Sequence, residues 1–262
     1  MTDGLRSVQA IRYVTALREG GSLPGLVEGD DDGLYVVKFT GAGQGRRALV
    51  AEVLVGELIR AAGLRVPELV RAEVDARLGA AEPDPEIQEL LAASVGTNLG
   101  VDFLPGSLPY VAAAAWQPEA ELAAEVVWLD ALTTNVDRTA RNPNLLRWHD
   151  RLWLIDHGAA LYLQHGGLAA DPGALARRSF GLIAEHVLLG RAGSIVEAGE
   201  RVRGRLAAAG GGERAIAEAL TRVPGQWFDG GDPPAAYGEY LAARLAWNGF
   251  TEEAERARRE LT

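Results

Sequence analysis

The chain has 262 residues, 36 acidic against 26 basic, for a formal net charge of −10 at pH 7. Hydrophobic residues make up 48%, enough for one large core or two lobes sharing a cleft, and the acidic balance argues against direct nucleic-acid binding and against an anionic membrane surface. Cysteine is absent, which excludes disulfides, Cys-based zinc sites and thiol nucleophiles.

No run approaches the roughly eighteen apolar residues of a membrane span. The opening MTDGLRSVQAIRY has no basic segment followed by an apolar core, so a cytoplasmic chain without a signal peptide is expected. Residues 8–19 read as one or two strands or a short helix. Gly20-Gly21-Ser22-Leu23-Pro24-Gly25 is a glycine-rich turn whose backbone N–H groups suit phosphate oxygens. An acidic tip at residues 28–33 lacks the ligand spacing of a calcium loop and reads as a solvated hairpin turn. Residues 34–39 follow as a β-branched and aromatic strand. This strand holds Lys38, the single lysine of a chain that otherwise uses arginine.

A helix is predicted from Arg46 to Ala62, with Leu49, Val53, Leu54 and Leu58 at helical spacing and Gly63 as its stop. Residues 64–74 lead into a strand. Residues 79–96 read as a proline-bearing loop and a short helix with Asp84 as N-cap. Residues 98–104 read as another strand, and Pro105 to Pro109 breaks it, a junction between two lobes. Residues 119–133 read as a helix, and residues 175–190, 194–209, 213–222 and 235–260 as four more.

The chemistry concentrates in residues 129–158. Asp137 and Asn142 stand five apart, and Asp156 follows fourteen residues later. Between them residues 144–148 and 151–155 are short apolar runs joined by His149-Asp150, a hairpin turn. Phosphoryl transfer needs a carboxylate near the acceptor hydroxyl, plus an amide oxygen and a second carboxylate as hard ligands for Mg²⁺. Asp137 is the candidate for the first role, Asn142 and Asp156 for the second. Lys38 is the candidate phosphate contact. Its expected partner is Glu52 on the following helix. Glu57 competes, but lies about 140° round that helix, so both cannot face one lysine. Arg138 and Arg141 flank the loop, either screening phosphate charge or solvated, and His157 reads as a packing residue. The four histidines have no metal-binding spacing.

Val36-Val37-Lys38-Phe39, Ala51-Glu52 in a helix ending Ala-Ala-Gly-Leu-Arg-Val-Pro67, the run Asn135-Val-Asp-Arg-Thr-Ala-Arg-Asn-Pro-Asn144, and Leu154-Ile-Asp-His-Gly158 together resemble the HipA-like kinases over about residues 10–165. The resemblance implies an α+β, two-lobed protein-kinase-like fold: a small β-rich N-lobe with one helix in residues 1–104, and a mainly helical C-lobe in residues 105–262. It implies ATP and Mg²⁺ as cofactors, with Lys38 and Glu52 at the phosphates, Asp137 catalytic and Asn142 and Asp156 on the metal. The adenine is expected near Val101, Asp102, Phe103 and Leu104. The acceptor is a hydroxyl of a protein or small molecule, with a Ser/Thr-type kinase favoured. The His-Arg-Asp loop and Asp-Phe-Gly motif of ordinary protein kinases are missing, which leaves a catalytically silent nucleotide-binding module as an alternative. A kinase of the aminoglycoside or choline type is a further one, although Val136 stands where that type has histidine.

Overall fold

A computed structural model describes residues 4–17, 23–43, 45–80 and 82–261. They group into two compact units, one within Met1–Leu49 and Pro67–Gly106, the other within Val50–Val66 and Ser107–Thr262.

The first unit is built on a closed barrel. Its strands are β1 (Arg6–Ala16), β2 (Gly25–Gly29), β3 (Leu34–Lys38), β4 (Leu69–Val74) and β5 (Gly96–Asp102), in the order β1-β2-β3-β5-β4. Four of the neighbouring pairs are antiparallel. The fifth, β1 with β4 from Arg6↔Val70 to Gln9↔Glu73, is parallel and closes the ring. Closure pairs strand edges that would otherwise invite other chains. The ambiguous stretch from residue 8 is therefore strand as far as Ala16. Alternate residues turn inward, so Val8, Ala10, Val27, Tyr35, Val37, Val70, Ala72 and Val74 share one core.

The first unit also holds helix, since residues 79–96 contain a nine-residue one. Asp84 caps it by accepting from the Glu86 N–H at 3.0 Å, Pro85 opens it, and Ile87 and Leu91 enter the barrel core. The acidic tip is bonded rather than simply solvated: the Asp31 carboxylate accepts from Tyr35 Oη at 2.8 Å and from Arg6.

The helix after β3 is α1 (Gly45–Ala61), and the one in residues 79–96 is α2 (Pro85–Ala93). From Val50 onward α1 belongs to the second unit. It ends as the glycine predicts. Gly63 takes φ +82°, its N–H donates to Arg60 O at 2.9 Å, and the Leu64 N–H reaches Ile59 O at 3.1 Å, the paired bonds of a Schellman stop.

The second unit is organised around α3 (Ala120–Thr133), buried continuously from Ala123 to Thr133. A helix buried on every side belongs inside a core, and its buried charges, Glu125 and Asp130, need partners there. A small sheet of β6 (Leu108–Pro109), β7 (Leu145–Trp148) and β8 (Arg151–Leu154) lies in the same unit, followed by α4 (Pro172–Ala176), α5 (Ile195–Ala208), α6 (Gly212–Arg222), α7 (Pro234–Ala246) and α8 (Gly249–Arg259). Of these, α5, α7 and α8 pack on α3. Gly199 lets α5 approach, since a Cβ there would sit 2.4 Å from the Trp128 indole nitrogen, which itself donates to Thr251 Oγ1 at 2.9 Å.

Two helix expectations fail. Residues 175–190 are not one helix: α4 stops at Ala176, and only the single turns Gly181–Glu185 and Leu189–Arg191 follow. The backbone there is committed elsewhere. The Val187 N–H donates to Arg138 O at 3.0 Å and His186 pairs with Thr139, so those groups cannot serve an internal helical ladder. Residues 235–260 divide into α7 and α8, because Trp247 turns extended and its ring lies against Gly249, where a Cβ would come within 2.2 Å. Arg244, fully buried on α7, donates to the carbonyls of Ala131 and Leu132, partners that the C-terminal turn of α3 needs.

Candidate active site

The site begins where α3 stops. Thr134 turns left-handed at φ +50°, and the Asn135 N–H closes the helix end on Asp130 O at 2.9 Å. The Asn135 amide then works in both directions. Its Nδ2 donates to Asp130 Oδ1 at 3.0 Å, and its Oδ1 accepts from the Asp137 N–H at 3.1 Å, a local turn that fixes the backbone at Asp137. Asp137 is half-buried and Asn142 exposed. Asn142 Nδ2 donates to Asp137 Oδ2 at 2.7 Å. With its NH₂ turned to Asp137, the amide oxygen is the atom Asn142 can offer a cation.

The hairpin after the loop forms as its sequence predicts. His149 and Asp150 both have positive φ, +48° and +56°, the two-residue turn that matches strand twist, with Trp148 paired to Arg151 across it. The strands return the chain to Asp156, which leaves β8 in the left-handed region at φ +54°. A non-glycine residue held there is uncommon and is maintained by its surroundings. The Ile155 N–H donates to Asn144 O at 3.1 Å, just before the bend.

Beneath the loop lies a buried ionic network. Arg138 has 1% exposure. Its Nε meets Asp130 Oδ2 at 2.5 Å, Nη1 donates to the carbonyls of Asn144 and Ile155, and Nη2 lies 3.2 Å from His157 Nδ1. His186 Nε2 sits 2.9 Å from the same Asp130 oxygen, while its Nδ1 accepts from the Leu188 N–H at 3.1 Å. Accepting at Nδ1 requires a lone pair, so His186 is the neutral tautomer donating from Nε2. Its pKa direction agrees: burial pushes it below the ordinary histidine value, more than Asp130 raises it. Burial alone would raise the Asp130 carboxyl. The charge of Arg138 and the bonds from His186 and Arg138 outweigh it and hold Asp130 well below the usual carboxylate range.

Arg138 is thus neither a solvated loop residue nor a phosphate screen. It ties the Asp137 loop to the segment carrying Asp156. Arg141 is exposed. His157 is buried, as a packing residue is.

Glu52 is 2% exposed, and its Oε1 accepts from the Gly158 N–H at 3.0 Å, which fixes the backbone two residues past Asp156. Glu57 is instead paired with Arg60 at 3.4 Å. Asp137, Asn142, Asp156 and Glu52 all lie in the second unit, whereas Lys38, at the end of β3, and Val101 to Leu104 lie in the first. Asp102 is held at the end of β5 by its N–H on Glu68 O at 2.8 Å, Phe103 by its N–H on Leu34 O at 2.9 Å, and Leu104 is buried. Burial, then the charge of Glu68, raises the Asp102 carboxyl above its ordinary value. Gly20, Gly21 and Ser22 lie outside the described residues.

Two participants escaped the sequence pattern: Asp130, which reads as part of an apolar helix face, and His186, in a segment expected to be helical; Asn135 and Asn144 stand in the run that carries the resemblance, but the sequence pattern assigns neither a role. The repeat of Asn at positions 142 and 144 was the available signal for Asn144. Among the described residues no group of three or more His, Cys, Asp or Glu could hold a metal ion, and the candidate set here depends on an amide, Asn142. Two hard oxygen donors, one amide and one carboxylate, on adjoining loops are a chemistry that fits Mg²⁺.

Comparison with known proteins bears on the family and the fold. A family model for HipA-like kinases matches residues 10–166. No curated protein matches. Among solved structures, the Helicobacter pylori proinflammatory kinase CtkA aligns with a TM-score of 0.55 at 13% identity, covering 97% of this chain and 100% of that one. The Golgi casein kinase aligns at 0.52 and 13% identity, covering 98% of this chain and 72% of that one; its structure with Mn/ADP bound aligns equally well, over 74% of that chain. At such identity these likenesses establish a shared kinase-like fold with mixed α and β content. No described helix is long and apolar enough to cross a membrane. With a family model spanning more than half its length, the chain belongs to the HipA-like kinases.

Proposed function

We propose that this protein is an ATP- and Mg²⁺-dependent phosphotransferase that moves a γ-phosphoryl group to a hydroxyl of a protein or small molecule, of the Ser/Thr type, in the cytoplasm. The observation that carries the reading is the fastening of the Asp137–Asn142 loop to the Asp156 segment through buried Arg138. Phosphoryl transfer depends on positioning and charge stabilisation more than on covalent chemistry, and a loop pair locked in this way supplies positioning.

In this reading Asp137 accepts the proton of the acceptor hydroxyl as the new O–P bond forms and the bond to the leaving ADP breaks. Asn142, through its amide oxygen, and Asp156, through its carboxylate, hold Mg²⁺, which when bound neutralises phosphate charge. Glu52 supports the Asp156 bend through Gly158. Lys38 serves the phosphates, Gly20, Gly21 and Ser22 contribute backbone N–H groups, and Val101 to Leu104 receive the adenine. The two-lobe division near residue 105 belongs to the same proposal. The Golgi casein kinase with Mn/ADP bound supports nucleotide and divalent-metal use by analogy of fold.

Mg²⁺-dependent autophosphorylation and ATP hydrolysis test this in wild type, Asp137→Asn and Asp156→Ala. Each substitution is expected to lower turnover by roughly 10²–10⁴-fold. Nucleotide binding without turnover in the wild type would replace the reading with a silent nucleotide-binding module. Turnover unchanged in both variants would end it.

A further inference from the structure

Asn144 has no role in the chemistry described so far, yet it stands between its two carboxylate-bearing segments. It is 9% exposed and left-handed, at φ +49°. Its Nδ2 donates to Asp137 Oδ2 at 3.2 Å, the oxygen that also receives Asn142 Nδ2, and lies 3.5 Å from the main-chain carbonyl of Asp156. Its own carbonyl is clamped twice, by the Ile155 N–H at 3.1 Å and by Arg138 Nη1. Backbone and side chain are therefore both engaged, one toward the hairpin and the buried arginine, the other toward the carboxylate that meets the acceptor.

Asn142 and Asn144 reach the same oxygen but differ in surroundings. Asn142 is exposed and offers a cation its amide oxygen, so its hold on Asp137 is that of a side chain with a second duty. Asn144 is buried on a backbone pinned from two sides, and its amide reaches Asp137 from that fixed position. Oδ2 of Asp137 is thereby held by donors, and Oδ1 is left for an acceptor hydroxyl.

We propose that Asn144 is a positioning residue of this active site: its amide fixes the orientation of the Asp137 carboxylate relative to the Asp156 segment. The inference rests on the phosphotransferase reading and adds to it a residue beyond those assigned to nucleotide and metal.

The test uses a substitution that preserves the backbone. Asn144→Gly accepts positive φ without steric cost and removes the amide. Asn144→Asp keeps the shape and tolerance of the left-handed region but loses the donor. Both are assayed with the full chain, as kcat and KM for ATP, together with thermal unfolding and Mn²⁺ affinity by electron paramagnetic resonance. The expected result is a kcat lowered by roughly 10–100-fold in both variants, with KM for ATP and Mn²⁺ affinity within about twofold of wild type. In a double-mutant cycle, Asn144→Gly is expected to add no further loss to Asp137→Asn, because its effect passes through that carboxylate. A wild-type kcat in Asn144→Gly, additive losses in the cycle, or a loss of activity that merely follows a loss of folded protein would each overturn the proposal. Absence of turnover in the wild type is a separate outcome: it removes the phosphotransferase reading and this inference with it.

Discussion

Asp130 is buried completely, yet remains ionised, because Arg138 supplies the opposite charge and His186 and Asn135 supply donors. A buried ion pair is weak evidence for stability in itself, but removing one member strands the other charge in a poor solvent. Asp130→Ala is therefore expected to destabilise the protein by about 3–5 kcal/mol, measured by denaturant unfolding at pH 7. A loss below about 1 kcal/mol would mean that Arg138 finds water or another acceptor. The same replacement removes the partner that orients Arg138 toward Asn144 and Ile155, so its effect reaches the loop as well as the core. Such a residue is hard to read from the chain. Asp130 sits among Val126, Leu129 and Leu132, and only the fold brings His186, 56 residues away, to its second oxygen.

Helix ends provide the next level of organisation. The N-terminus of α5 is capped locally by Ser194, which accepts the Glu197 N–H at 3.2 Å, and again from another helix: Glu255 on α8 accepts the Ile195 N–H at 2.9 Å and also holds Arg258 and Arg259. The bond from Arg258, then the Ile195 N–H and Arg259, overcome burial and hold the Glu255 carboxyl at about 2, against an ordinary 4.5. A carboxyl depressed in the folded state stabilises fully above its unfolded pKa and loses that contribution as pH falls through the folded value. Glu255→Gln is accordingly expected to cost about 1–2 kcal/mol at pH 7, with the gap to wild type narrowing between pH 4.5 and 2 in thermal unfolding. Parallel stability curves over that window would show that the charge of Glu255 does nothing for the α5 end. Capping within one element was legible from sequence, as at Asp84 and Gly63. The Glu255 cap was not, because its acceptor comes from an element 60 residues later.

For the whole molecule, a ligand that binds only the folded state raises its stability in proportion to the logarithm of ligand concentration. Mg-ATP at about 100 times its dissociation constant is expected to add about 2.7 kcal/mol to unfolding free energy. The metal-dependent share should vanish in Asp156→Ala, as read by thermal shift with and without Mg²⁺; a shift of equal size in that variant would place the cation elsewhere. Most of what the chain reveals by itself is local. The β-branched run ending at Lys38, the Schellman glycine at residue 63, the two-residue turn at His149-Asp150 and the spacing of Asp137 and Asn142 all act within a few residues, through backbone conformation and side-chain period. What only the tertiary structure decided is long-range: the parallel β1–β4 pairing that closes the barrel, the breaking of residues 175–190 into turns by bonds to Arg138 and Thr139, the burial of Arg138, and the meeting of Asn144 with both Asp137 and the Asp156 carbonyl. Local rules depend on neighbours along the chain. A buried charge or a shared carboxylate oxygen depends on which distant groups come to satisfy it, and that is settled only when the core has formed.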